Sequence, residues 1–111
     1  MVPVSDPRGA DVGELTPFAG RVLDVVDRIP PGRVLTYGDV AEYLGEGGAR
    51  VVGAVMARHG GAVAWWRVLR ADGTPAPGLV ERAFERYRAE RTPLCRGGTR
   101  VDLSRARWDG D

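Results

Sequence analysis

The chain has 111 residues, of which 43% are hydrophobic and 28% charged, and its formal net charge is +1. That length suits one hydrophobic core and is too short for two, and no apolar run approaches the roughly 18 residues that a membrane-crossing helix needs. A single cysteine, Cys95, and a single histidine, His59, exclude an internal disulfide framework and argue against a Cys/His zinc site, so neither metal nor cofactor is expected.

Residues 1–13 carry neither the basic nor the apolar stretch of an export signal, and a cytoplasmic location is expected. Residues 1–14 are rich in Pro, Gly and Asp without periodicity and read as a disordered leader, with the folded domain expected over 15–108. Thr16 is placed to cap a first helix and Pro17 suits its first position; Phe18, Val22, Val25, Val26 and Ile29 recur on one face. Pro30, Pro31 and Gly32 stop that helix, and Val34-Leu35 reads as a short extended piece. Thr36, with Asp39 three residues on, imitates a capping box that opens a second helix, with Val40, Ala41 and Leu44 turned inward. Gly45, Gly47 and Gly48 supply a turn, and residues 49–58 read as a third helix with Val52, Val55 and Met56 inward. Helix, glycine turn, helix is the helix-turn-helix pattern. Gly53 costs the third helix about 1 kcal/mol relative to alanine, which points to a close backbone approach by a neighbouring helix or by DNA.

His59, Gly60 and Gly61 close the third helix, and residues 62–69 read as an apolar extended run leading to a turn at Asp72-Gly73. In an extended run Trp65 and Trp66 face opposite sides, so at least one joins the core. Pro75 and Pro77 make residues 74–78 a stiff surface loop. Residues 79–91 follow as an amphipathic helix with Val80, Ala83, Phe84 and Tyr87 inward, stopped by Pro93. Residues 100–103 read as a short strand ahead of a basic tail, Arg105-Ala106-Arg107-Trp108. The expected fold is mainly α with short extended segments.

No Ser-His-Asp set, phosphate-cradling glycine motif or paired metal ligand is present, which disfavours an independent hydrolase. Cys95 has no nearby histidine and reads as an incidental thiol, and His59 as a helix cap or solvent-facing group. All sixteen basic residues are arginine. Arginine permits bidentate phosphate contacts, although a net charge of +1 is too small to argue nucleic-acid binding by itself.

Three segments taken together say more: Thr36-Tyr37-Gly38-Asp39-Val40-Ala41, Ala49-Arg50-Val51-Val52-Gly53 and Ala64-Trp65-Trp66-Arg67-Val68. In that order they resemble the C-terminal domain of the O6-alkylguanine-DNA alkyltransferases, whose pattern runs Thr/Ser-Tyr-Gly, Ala-Arg-x-Val-Gly, Pro-Cys-His-Arg-Val. The resemblance covers about residues 16–108 and implies a winged helix-turn-helix-like DNA-binding domain. The family's alkyl-accepting cysteine falls at Trp65, its histidine at Trp66 and its proline at Ala64. An indole cannot replace an activated thiolate as nucleophile. The chain is therefore similar to the alkyltransferase-like branch, which implies no enzyme activity and no catalytic residue. Its implied partners are double-stranded DNA bearing O6-alkylguanine, bound by nucleotide flipping, and the nucleotide-excision-repair proteins for which the lesion is marked. A monomer and no membrane contact are expected.

The resemblance also implies residue roles. Arg50 enters the vacated stack, Tyr37 crowds the 3′ phosphate, Ala49 and Gly53 allow close approach to DNA, and Arg58 meets a phosphate. Trp65, Trp66, Arg67, Val68 and Asp72 wall the lesion pocket, with Arg67 as a brace. The alternative for the same two helices is a regulator that reads sequence in the major groove without lesion specificity. An active transferase using Cys95 ranks last, because that residue lies outside the motif loop.

Overall fold

Side-chain caps start the first two helices at the threonines the spacing predicts, Thr16 and Thr36. The computed structural model describes residues 15–111, so the leader expected over 1–14 lies outside the described residues. Helix α1 (Pro17–Arg28) opens with Ala19 N–H donating to the Thr16 hydroxyl at 3.0 Å, and buries Ala19, Val22, Val25 and Val26. Strand β1 (Leu35–Thr36) runs directly into helix α2 (Tyr37–Leu44). The junction is a reciprocal capping box: Asp39 N–H donates to Thr36 Oγ1 at 3.0 Å, and Thr36 N–H to Asp39 Oδ2 at 2.9 Å. In the turn that follows, Gly47 (φ 73°) lies under the Phe18 ring, where a Cβ would sit 2.6 Å from a ring carbon. Helix α3 (Ala49–His59) then buries Val52 and Met56.

The extended run expected over 62–69 forms only at its end. Two 3₁₀ turns, Gly60–Ala62 and Trp65–Arg67, come before strand β2 (Val68–Leu69). An unbroken apolar run has no alternation to hold it extended, and the local bonds Trp65 N–H to Val63 C=O (2.7 Å) and Arg67 N–H to Ala64 C=O (3.0 Å) take over. Strand β2 pairs in parallel with β1, Leu35 opposite Val68 and Thr36 opposite Leu69. Neighbouring residues of this short ribbon face opposite ways. Leu35 and Val68 join a core with α1, α2 and α3, whereas Val34 and Leu69 join a second core with Ala83, Phe84, Tyr87, Val101 and Ala106.

Helix α4 (Val80–Glu90) supplies Ala83, Phe84 and Tyr87 to the second core. Val80, expected inward, is 46% exposed, because the first turn of the helix projects past the residues that cover that core. The strand expected over 100–103 is reduced to one antiparallel bridge, Leu94 with Val101. Asp102 instead caps a one-turn helix, α5 (Leu103–Ala106), by accepting from Ser104 N–H at 3.1 Å. Nor is the basic segment a tail. Val34 N–H donates to Ala106 C=O at 3.0 Å and Trp108 N–H to Val34 C=O at 2.8 Å, with Ala106 buried in the second core and Trp108 in the first.

Pro75, assigned to a surface loop, is fully buried. The loop is drawn inward at Gly73 (φ 87°), whose carbonyl accepts from Val101 N–H at 2.9 Å; a Cβ there would stand 2.7 Å from the Val101 carbonyl oxygen. The molecule is thus mainly helical, as expected, with α2 and α3 forming the helix-turn-helix. No helix among the described residues is long and apolar enough to cross a membrane.

Burial disfavours the charged Asp39 carboxyl, but hydrogen bonds from Thr36 and Arg107 outweigh it and hold the group below its ordinary value of 3.8. A carboxylate lowered by folding stabilises the fold at pH above its unfolded value and loses that contribution as pH falls through the folded one. Asp39→Asn is therefore expected to lower stability near neutral pH and to shrink the acid-dependent loss below about pH 4. Urea denaturation of both proteins at the two pH extremes measures this.

Candidate nucleic-acid interface

The outer side of α3 is what the helix-turn-helix offers to a ligand. Ala49 and Arg50 are exposed at its first turn, Arg58 is exposed at its last, and Gly53 lies half-buried between them. A Cβ at Gly53 would meet nothing within 4 Å. No neighbouring helix among the described residues therefore requires this glycine.

Gly53 opens instead onto a cavity of about 300 Å³ between α3 and α4. Tyr37, Gly53, Trp65 and Val68 line it, so four of the expected residues come together from α2, α3, the second 3₁₀ turn and β2. The remaining wall went unassigned in the sequence: Met56 and Ala57 from the end of α3, Gly60 and Gly61 from the 3₁₀ turn after it, and Ala76, Leu79 and Arg82 from the far side. Part of this was detectable. Gly53 and Ala57 stand one helical turn apart, followed by two glycines, so one face of α3 is nearly bare of side chains.

Burial raises the Tyr37 phenol above its ordinary 10.0, with the positive charge of Arg70 opposing, so it faces the cavity as a neutral hydroxyl. Trp65 meets Trp66 edge to face, ring centroids 5.7 Å apart at 88°. Only Trp65 lines the cavity. In a 3₁₀ turn successive side chains step by about 120° rather than 180°, and Trp66 swings behind. There its Nε1–H donates to Glu90 Oε2 at 2.9 Å, while the guanidinium groups of Arg86 (4.6 Å) and Arg67 (5.3 Å) lie over its ring.

Arg67 also stands outside the cavity wall. Its Nε donates to Glu90 Oε1 at 3.1 Å, its Nη2 to Glu90 Oε2 at 2.6 Å and its Nη1 to the Ile29 carbonyl at 2.9 Å. Gly32 N–H adds a bond to Glu90 Oε1 at 3.1 Å, and the Tyr87 hydroxyl donates to Trp66 C=O at 2.7 Å. Burial raises the Glu90 pKa, but the bonds from Arg67, Gly32 and Trp66 outweigh it and leave the carboxyl below its ordinary value. Asp72, the third expected pocket residue that lies elsewhere, is exposed and shapes its own turn by accepting from the Thr74 N–H (3.0 Å) and hydroxyl (2.6 Å). Cys95 sits in the loop after α4 with its thiol on the Val101 carbonyl at 3.7 Å. Among the described residues no three His, Cys, Asp or Glu side chains converge to hold a metal ion.

A family model described as the DNA-binding domain of 6-O-methylguanine DNA methyltransferase matches residues 17–92. A protein of Escherichia coli (strain K12) named DNA base-flipping protein is 39% identical over 98 residues, which cover 83% of this chain and 74% of that protein. Among solved structures, S. pombe Atl1 in complex with damaged DNA containing O6-carboxymethylguanine aligns with a TM-score of 0.70 at 29% identity, over 83% of this chain and 94% of that one. The Mycobacterium tuberculosis O6-methylguanine methyltransferase aligns at 0.57 and 28% identity, over 72% of this chain and 53% of that one.

Arg67 and Glu90 side chains are only 14% and 13% exposed. Removing one leaves the other charge enclosed without its counterpart, so Glu90→Ala is expected to lower the unfolding free energy by about 3 kcal/mol. Urea denaturation followed by tryptophan fluorescence reads this directly; a loss below about 1 kcal/mol would reduce the pair to an ordinary surface contact.

Proposed function

Because the chain belongs to the family of the 6-O-methylguanine DNA methyltransferase DNA-binding domain, and within it to the alkyltransferase-like proteins, we propose that it binds O6-alkylguanine in duplex DNA by turning the damaged nucleotide out of the stack, without accepting the adduct. The observation that carries this reading is the cavity beside the outer face of α3, lined by the Trp65 indole where transfer would require an activated thiol. Its volume of about 300 Å³ is at the small end of ligand sites, suited to a single base with a short substituent. The name of the E. coli relative and the damaged DNA held by Atl1 support the same reading.

The energetics are consistent. Extruding a nucleotide costs a few kcal/mol, and stacking one base on an aromatic ring returns about 1–3 kcal/mol. Trp65 supplies such a ring. Arg50, exposed at the start of α3, is suited to fill the space the base leaves, because a planar guanidinium both stacks and donates hydrogen bonds. Tyr37 sits at the cavity edge, where a rigid neutral phenol can crowd the neighbouring phosphate. Ala49 and Gly53 keep the helix surface low for a DNA backbone, and Arg58 is a phosphate contact. A complex with no acceptor persists on its lesion, and we propose that this persistence marks the site for nucleotide-excision repair.

Titration of matched duplexes containing guanine or O6-methylguanine, at one fixed salt concentration, tests the proposal. Tighter binding of the modified duplex is expected, and Arg50→Ala should weaken it by about tenfold whereas Arg88→Ala, on another face of α4, should not. Equal affinity for both duplexes, with a preference set by flanking sequence, would favour the major-groove regulator instead. A labelled alkyl group recovered on the protein would overturn the non-enzymatic reading.

Gly53→Ala provides an independent check. The new methyl group clashes with nothing among the described residues and improves helix propensity by up to about 1 kcal/mol, so the free protein is expected to become more stable. Duplex affinity is expected to fall at the same time. Unchanged affinity would separate this position from the DNA contact.

A further inference from the structure

The cavity adjoins a second recess. Trp65 and Arg82 line both, and Glu85 and Arg86 complete the recess. Arg82 is the one formally charged residue of the cavity lining; every other lining residue is apolar or, like Tyr37, neutral. Its guanidinium has no ion pair or hydrogen bond among the described residues. Arg86, one helical turn further along α4, is held over the Trp66 ring at 4.6 Å. Glu85 faces the same recess, so two arginines and one glutamate leave it with a net positive charge.

An uncommitted guanidinium beside an apolar cavity has a defined preference. A neutral substituent that fills the cavity displaces water from the cation and returns at most an uncharged, single acceptor, whereas a carboxylate offers it a charge-assisted and geometrically matched one. On the reading that this cavity receives the extruded base, we propose that Arg82 sets its selectivity, favouring O6 substituents that end in a carboxylate over neutral substituents of the same size.

The test uses three duplexes identical except at one base: guanine, O6-carboxymethylguanine and the isosteric, uncharged O6-carbamoylmethylguanine. Each is titrated at the same salt concentration with the unmodified protein, Arg82→Met and Arg88→Met. The unmodified protein and Arg88→Met are expected to bind the carboxylate duplex about fivefold more tightly than the amide duplex, the worth of one partly desolvated ion pair. Arg82→Met should bring the two modified duplexes within about twofold of each other while both remain tighter than guanine. Equal binding of the two modified duplexes by the unmodified protein, or an undiminished preference in Arg82→Met, overturns the role of Arg82 and leaves the cavity reading intact. A uniform loss across all three duplexes in Arg82→Met assigns it to the DNA backbone and also overturns selectivity. If the unmodified protein fails to distinguish either modified duplex from guanine, the cavity reading itself falls.

Discussion

Four hydrogen bonds from two separate segments converge on the Glu90 carboxylate of a third, and the placement of α4 against the helix-turn-helix follows from that convergence. Gly32 belongs to the turn after α1, Trp66 and Arg67 to the 3₁₀ turn before β2, and Glu90 is the last residue of α4. Arg67 extends the chain of bonds to the Ile29 carbonyl, one of the groups that the end of α1 leaves without a helical partner. An enclosed charge is tolerable only when its acceptor sites are occupied, so these segments are fixed as a set rather than one by one. The gap between α3 and α4 keeps its width for the same reason. Trp65 owes its position to the neighbour behind it, since Trp66 is anchored by its N–H, its carbonyl and two guanidinium groups over its ring.

Features that depend on a few consecutive residues were legible in the sequence. The Thr16 and Thr36 caps, the inward faces of α1 and α2, and the glycine turn before α3 rest on side-chain chemistry acting over three or four positions. Features that depend on what lies across the fold were not. The run from 62 to 69 offered no alternation to separate a strand from a pair of tight turns, and it is the second turn that carries Trp66 and Arg67 away from the cavity wall. Ala76, Leu79 and Arg82 reach the cavity only because a buried Pro75 and the Gly73 contact with Val101 draw their loop inward, and nothing local to residues 74–82 announces either. Arg82 in particular looked like one more charge on a solvated helix face. The Tyr37, Gly53 and Trp65 positions were found because they belong to motifs, not because their environment could be computed from spacing.

The two-residue pairing of β1 with β2 is small, yet it divides the interior. Leu35 and Val68 close the core beneath the helix-turn-helix, Val34 and Leu69 close the one beneath α4, and Trp65 packs against both. The cavity therefore opens along the seam between two packed units rather than inside either. A seam is where space can be kept without leaving a void in a core, and where small residues such as Gly53, Gly60 and Gly61 cost least. It is also where side chains from different segments, an aromatic from one and a cation from another, can face a single ligand.

The strand-like segment around Arg107 has a consequence for how the protein is made. Ala106 and Trp108 belong to different cores, and both are fastened to Val34, more than seventy residues earlier. While a ribosome is still adding the intervening residues, α1, α2 and α3 can form and dock, but the hydrophobic interior beneath them stays open to water on the side that the indole of Trp108 will cover. Contacts so distant along the chain are entropically slow to make. One late closure thus seals both halves at once, and a nascent chain halted before residue 106 carries two unfinished interiors, the kind of surface that chaperones recognise.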